Sequence, residues 1–242
     1  PLFRRELAIR EKLQGPQHPD VAYSLNNMAG SLQVLGRYDE ELALFQRALA
    51  IRERAQGPET PQVAVLLDNI GLALAMQERL SESLGYHQRA VAIYDKIGAE
   101  TLDRAVATFN VGDRLMHLGR DAEAVDYFHR ALAMEEKLLN PRHTELGWTL
   151  SAIGEALLHR HQAAAAKKEL ERAVDIWEHG HIQPMNLGQT RFLLARALWD
   201  DGEHDRARRV AAEARSNFLA DTPVPTSKKA LAEIEGWLAV HR

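Results

Sequence analysis

The 242-residue sequence predicts an all-α fold, an α-solenoid of antiparallel helix pairs ending in a C-terminal capping helix. Three observations predict it. The chain repeats itself every 41 to 42 residues, its apolar residues recur at helical spacing, and no Val, Ile or Thr-rich alternation suggests a strand. The period is plainest where "LFRRELAIREKLQGPQHPDVA", Leu2 to Ala22, returns 42 residues later as "LFQRALAIRERAQGPETPQVA", Leu44 to Ala64, with 14 of 21 positions identical.

Residues 1–15 come first and read as the second helix of a pair whose first helix is absent, so the seam near Phe3 and Leu7 is expected to be exposed. Residues 16–220 follow as five helix pairs. The phrase "RALAI" at Arg47 recurs as "RAVAI" at Arg89, "RALAM" at Arg130 and "RAVDI" at Arg172, with an echo, "EARSNF", from Glu213. A small residue in the preceding helix keeps the same step, at Ala29, Gly71, Gly112, Gly154 and Ala195. Each unit therefore reads as helix A, a short turn, helix B and a longer joint such as "QGPETP". The turns "LGRYDE", "LGRDAE" and "DDGEHD" supply Gly or polar residues to end helix A and an Asp to begin helix B.

In "YDEELALFQRALAIRERA" the apolar Leu42, Phe45, Leu49 and Ile51, with Ala48, recur at three- and four-residue spacing, as one buried face requires. Arg47, Arg52 and Glu53 fall toward solvent. Pro16, Pro58 and Pro141 stand in the joints, where a missing N–H interrupts no helix. Ala or Gly at the landmark positions lets helices approach closely. Residues 221–242 begin with "TPVPT" as a linker and continue as a capping helix, whose Leu231, Ile234, Trp237 and Leu238 form one apolar stripe. In all, twelve helices are expected.

Composition excludes several functions. Apolar residues make up 45% and charged residues 26%, a balance that folds, and a net charge of -4 without an aromatic-interleaved basic cluster argues against nucleic acid. No apolar run reaches a membrane span, and zero cysteines exclude thiol chemistry, which fits a cytoplasmic setting. No nucleophile has an evident base, no Gly-rich phosphate loop occurs, and carboxylates lie on helix faces where solvation explains them, so no catalytic residue and no cofactor is expected. Histidine pairs in "HRH" (His159, His161) and "HGH" (His179, His181) lack the carboxylates or cysteines of a recognisable metal motif, and no metal is assigned.

The segment "HPDVAYSLNNMAGSLQVLGRYDEELALFQRALAIRERAQGPETP", His18 to Pro61, with its "LNN" at Leu25 to Asn27, resembles tetratricopeptide repeats of the longer, kinesin-light-chain-like type. The resemblance spans residues 2–220, with departures at "HRHQAAAAKK" in unit four and at the "RALAI" position of unit five. It implies a right-handed α-solenoid that serves as a protein-interaction scaffold. Arrays of this kind in bacteria resemble the C-terminal regions of multidomain signalling proteins, including serine/threonine kinases and nucleotide-switch regulators.

In that pattern the A helices line the concave surface. Counting from the small-residue landmark then assigns a candidate peptide-binding set: Tyr23, Asn26 and Asn27; Asp68, Asn69 and Leu72; Phe109, Asn110 and Asp113; Trp148 and Glu155; Phe192 and Arg196. Asn27, Asn69 and Asn110 share one register. As the resemblance implies, such amides hold the backbone of an extended peptide through their paired donor and acceptor; alternatively they satisfy groups within the array. Asp68, Asp113, Glu155 and Asp200 contribute acidity, while Phe109, Trp148, Phe192 and Trp199 are either apolar anchors or inter-repeat core. The expected ligand is an extended peptide or partner protein with basic and large apolar side chains. The competing reading is self-association into a homodimer through the N-terminal seam or the C-terminal tail.

Overall fold

A computed structural model describes residues 2–180, 182–220 and 225–241, the side chains of 225–227 excepted. Among these are twelve helices and no strand: α1 (Leu2–Gln14), α2 (Pro19–Gln33), α3 (Tyr38–Gln56), α4 (Pro61–Met76), α5 (Leu80–Ile97), α6 (Leu102–His117), α7 (Asp121–Leu138), α8 (Thr144–His159), α9 (Ala163–Glu178), α10 (Pro184–Asp200), α11 (His204–Ala220) and α12 (Pro225–Val240). The chain is an all-α helical repeat array. It divides into two compact units, residues 1–118 and 119–242, each described by itself. Of the expected linker, residues 221–224 lie outside the described residues, and "TPVPT" is seen only where Pro225 opens α12.

Within the first unit α2 pairs with α3 and α4 with α5, and each pair packs on the next. The second unit does the same with α8 and α9, α10 and α11, and ends in α12. The turns between paired helices share one geometry. At the same register stand Gly36, Glu78, Gly119, His161 and Gly202, all with positive φ between 57° and 87°. The N–H that follows reaches back to close the helix end, as in Arg37 N to Leu32 O at 3.1 Å and Gln162 N to Leu157 O at 2.9 Å. Glycine suits this left-handed position; Glu78 and His161 hold it against their Cβ. His161 thus completes a turn where the sequence suggested half of a histidine pair.

The residue expected to start helix B is corrected by one detail. Arg37, Arg79 and Arg120 take the N-cap position without a side-chain cap. Each then grips an acid three residues on: Arg79 donates from Nε and Nη2 to Glu82 at 2.8 and 2.7 Å, and Arg120 to Glu123 at 2.8 and 2.7 Å. These exposed pairs bring negative charge to the helix N-terminus, a small stabilisation.

The landmark residues are core. Ala29, Ala48, Ala90, Ala131, Ala173, Ala195 and Ala214 are fully buried, and a Cβ on Gly154 would stand 2.3 Å from Leu170 Cγ. A second small position lies seven residues earlier, at Ala22, Ala64, Ala105, Gly147 and Gly188, also buried. At Gly147 an added Cβ would lie 2.0 Å from Trp177 Nε1. The arginine of "RALAI", read as merely solvated, ties neighbouring B helices together: Arg47 pairs with Glu11 at 2.6 Å, and Arg172 with Glu136 at 2.6 Å.

Candidate functional site

In the first unit the A helices α2, α4 and α6 bring their expected residues into register. Three residues before each landmark stand Asn26, Asp68 and Phe109; two before stand Asn27, Asn69 and Asn110. The two rows bond diagonally. Asn69 Nδ2 donates to Asn26 Oδ1 at 3.0 Å, and Asn110 Nδ2 lies 3.2 and 3.1 Å from the two carboxylate oxygens of Asp68. The amides therefore join successive repeats. Among the described residues Asn27 makes no side-chain hydrogen bond and is half-buried, its amide open toward solvent.

Asp68 departs from its expected place. It is buried, and besides Asn110 it meets His87 Nδ1 at 2.6 Å. His87 on α5 is fully buried at the register that holds Phe45, Phe128 and Leu170 in other units, over the space that Gly71 leaves. A carboxylate engaged on both sides inside the array is not a free groove acid. The Tyr94 hydroxyl is buried without a hydrogen bond, and burial, reinforced by the charges of Asp103 and Asp68, drives its pKa upward. Asp113 is likewise engaged, paired with Arg114 beside it and with its carbonyl accepting from His117 Nδ1 at 2.9 Å.

What stays open on this unit is more apolar than acidic. Tyr23 is 54% exposed, with the Arg10 guanidinium 5.8 Å from its ring centre, and Leu72 and Phe109 are half-buried. Tyr23, Asn26 and Val65 line a cavity of about 200 Å³, with Gln62 and Arg52 at its edge.

In the second unit Trp148 is 41% exposed and meets Trp177 edge-on, with ring centres 5.0 Å apart. Trp177 is buried and donates from Nε1 to the Thr144 carbonyl at 3.0 Å, so the exposed ring rests on a pinned one. Glu155, Phe192 and Arg196 come together at a cavity of about 370 Å³ whose far wall is α12. Phe192 is corrected from exposed anchor to core: it is buried in a cluster with Ala214, Phe218 and Ile234, and only its edge reaches that cavity. Trp199 is half-buried, packed between His204 and His241.

Four further histidines have local structural partners. His159 Nδ1 lies 3.0 Å from Asp121, and His179 Nδ1 donates to the Asp175 carbonyl at 2.8 Å; His181 lies outside the described residues. His18 and His143 accept from backbone N–H groups of Asp20 and Glu145 at helix starts, a role the sequence reading missed. Among the described residues no group of three or more His, Cys, Asp or Glu is placed to hold a metal ion, and no helix is long and apolar enough to cross a membrane.

The repeat geometry and the sequence agree on a family. The tetratricopeptide repeat model matches residues 1–53, 20–96 and 103–179, and the chain belongs to that family. Solved structures share the fold. BtubC (BKLC) from P. vanneervenii aligns with a TM-score of 0.79 at 17% identity, covering 91% of this chain and 90% of that one. Kinesin-light-chain, nearly identical TPR-like repeats from Podosopora anserina align with a TM-score of 0.71 at 21% identity, covering 83% and 96%. YrrB, described as a TPR protein with an unusual peptide-binding site, aligns with a TM-score of 0.59 at 17% identity, covering 89% and 91%. No curated protein sequence matches the chain.

Proposed function

We propose that the chain is a protein-interaction module that takes an extended peptide or a segment of a partner protein along its A-helix faces, as the docking part of a larger signalling protein. The observation that carries this reading is the unbonded amide of Asn27 one helical turn from exposed Tyr23, which lines a cavity with Asn26 and Val65. Amides in this register offer a donor and an acceptor to a peptide backbone, and an aromatic ring offers apolar area at low entropic loss. The peptide-binding description of YrrB, which shares the fold, supports the same reading. Because Asn69 and Asn110 already bond within the array, they position the row, and Asn27 and Tyr23 make first contact.

Selection of phage-displayed peptides on the intact chain, followed by calorimetry on the enriched sequence, tests the reading. Enrichment of sequences with large apolar and basic residues is expected, with a Tyr23→Ala and Asn27→Ala double change weakening binding about tenfold and leaving melting unchanged. Equal binding by parent and double variant would refute it.

A second reading, self-association, rests on the N-terminal face. Leu2, Phe3, Ile9 and Leu13 are exposed, and Phe3, Met28, Leu32 and Leu35 border an apolar cavity of about 720 Å³. Light scattering on the parent and on a Phe3→Asp variant decides it: a dimer that the change abolishes supports assembly, and a monomer at every concentration removes it.

A further inference from the structure

Helix α12 lies across the part of the second unit where Glu155, Phe192 and Arg196 converge, and it holds that place weakly. Among its described side chains only Ile234 is fully buried, whereas α10 buries eight residues and α11 four. The rest of its hold is partial: Leu231 and Leu238 are half-buried, Arg215 donates to Glu235 at 2.8 Å on the surface, and Trp237 meets Trp199 edge-on with ring centres 5.6 Å apart. Beneath its first half it leaves the cavity of about 370 Å³ unfilled, and the apolar side chains it presents there are Ile234, already packed in the core, and the small Ala230.

The charges around that cavity are unused. Glu155 and Arg196 face it from one side, Lys229 and Glu233 from α12, and among the described residues none of the four forms an ion pair. Elsewhere in the same unit such groups are paired, as Lys167 is with Glu203 at 2.8 Å and Arg206 with Glu171 at 2.6 Å. The stripe that α12 lays on this face, Leu231, Ile234 and Leu238, is the spacing of a helix bound in a groove. Its fit is incomplete in volume and in charge.

We propose that α12 is a displaceable occupant of this face, and that the partner taken there is an amphipathic helix with the same apolar stripe, a larger apolar side chain at the place of Ala230, and charges that pair with Glu155 and Arg196. This rests on the reading of the A-helix faces as interaction surfaces. Partner binding and α12 docking are then mutually exclusive, so the helix is an autoinhibitory cap. A partner that fills the cavity and neutralises the two free charges gains contacts that α12 lacks.

The probe is a fluorescent synthetic peptide of residues 225–242 carrying Ala230→Leu, titrated by fluorescence polarisation into three intact chains: parent, Ile234→Glu and Ala230→Leu. The Ile234→Glu chain is expected to bind it about tenfold more tightly than the parent, and the Ala230→Leu chain about tenfold more weakly. Indistinguishable affinities for the three chains would overturn the proposal. Hydrogen exchange on the parent, which needs no variant to fold, is expected to show α12 amides exchanging about tenfold or more faster than those of α10 and α11. Equal protection would overturn it, as would a concentration-dependent dimer abolished by Ala230→Leu, which would assign the face to a second copy. The Tyr23 and Asn27 test concerns the other unit, so failure of the cap leaves that reading standing.

Discussion

Replacing Asp68 by Ala separates a structural acid from a ligand-binding one. The carboxylate accepts from Asn110 at 3.1 and 3.2 Å and sits 2.6 Å from His87 Nδ1, with its side chain 13% exposed. Removing one member of a buried hydrogen-bonded pair leaves the other unsatisfied, which costs about 1–3 kcal/mol. Here the survivor is His87, whose Nε2 already lacks a partner, so both ring nitrogens would be orphaned. The half-buried Asn110 can turn to water, so the loss rests on His87, and with both ring nitrogens unsatisfied it is expected near the top of that range, about 3 kcal/mol. Asn69→Ala removes a single neutral amide bond and should lose about 1 kcal/mol, and Asn27→Ala should stay within about 0.5 kcal/mol.

The assay is urea denaturation followed by far-UV circular dichroism, with each transition fitted separately because repeat arrays unfold in parts. A double change, Asp68→Ala with His87→Phe, completes the cycle. Phenylalanine restores the residue type of Phe45 and Phe128 at that register and removes the orphaned imidazole, so the double variant should regain about 2 kcal/mol over Asp68→Ala alone. A loss below about 1 kcal/mol for Asp68→Ala, or a double variant as unstable as the sum of the singles, would refute the pairing and return Asp68 to the groove.

Three further outcomes follow from the geometry. Glu78→Gly and His161→Gly each relieve a left-handed residue of about 1–2 kcal/mol of strain and, after the entropy of the added glycine, should raise stability by about 0.5–1 kcal/mol in the same denaturation assay. Gly147→Ala drives Trp177 off its bond to Thr144 and should lose about 1–3 kcal/mol despite the better helix former, whereas Gly30→Ala, whose Cβ meets nothing within 4 Å, should gain about 0.5–1 kcal/mol; calorimetric melting of the pair checks both. Burial raises the Glu135 pKa, against the bond it accepts from Thr149 Oγ1 at 3.1 Å, so the folded chain keeps a proton there that the unfolded chain releases above pH 4.5. That contribution is full below pH 4.5 and lost as pH rises through the raised value, so Glu135→Gln should exceed the parent in stability at pH 7 and lose its advantage below pH 4.5, as denaturation midpoints across pH will show.

The repeat was legible because its markers are positions where backbone geometry and close packing leave little choice. Ala48, Ala90, Ala131 and Ala173 sit where helices touch, and any larger side chain there collides, so the period appears in the letters themselves. The polar rows were legible only as a register. Nothing in the sequence distinguishes Asn27 from Asn69 or Asn110, because what separates them lies in the neighbouring repeat: Asn69 finds Asn26 43 residues away, and Asn110 finds Asp68 42 residues away. Asp68 looked like a groove acid for the same reason, since its burial is decided by His87 standing where other repeats place Phe or Leu. That substitution was visible as a break in the apolar pattern of α5. A histidine at a phenylalanine position predicts a buried polar partner on the facing helix, and the position facing it, three residues before Gly71, is the aspartate. The departures from the repeat therefore carry more information about that face than the repeat itself: His87 withdraws the Asp68 carboxylate from the surface and leaves the exposed Tyr23 and the half-buried Asn27 there without it.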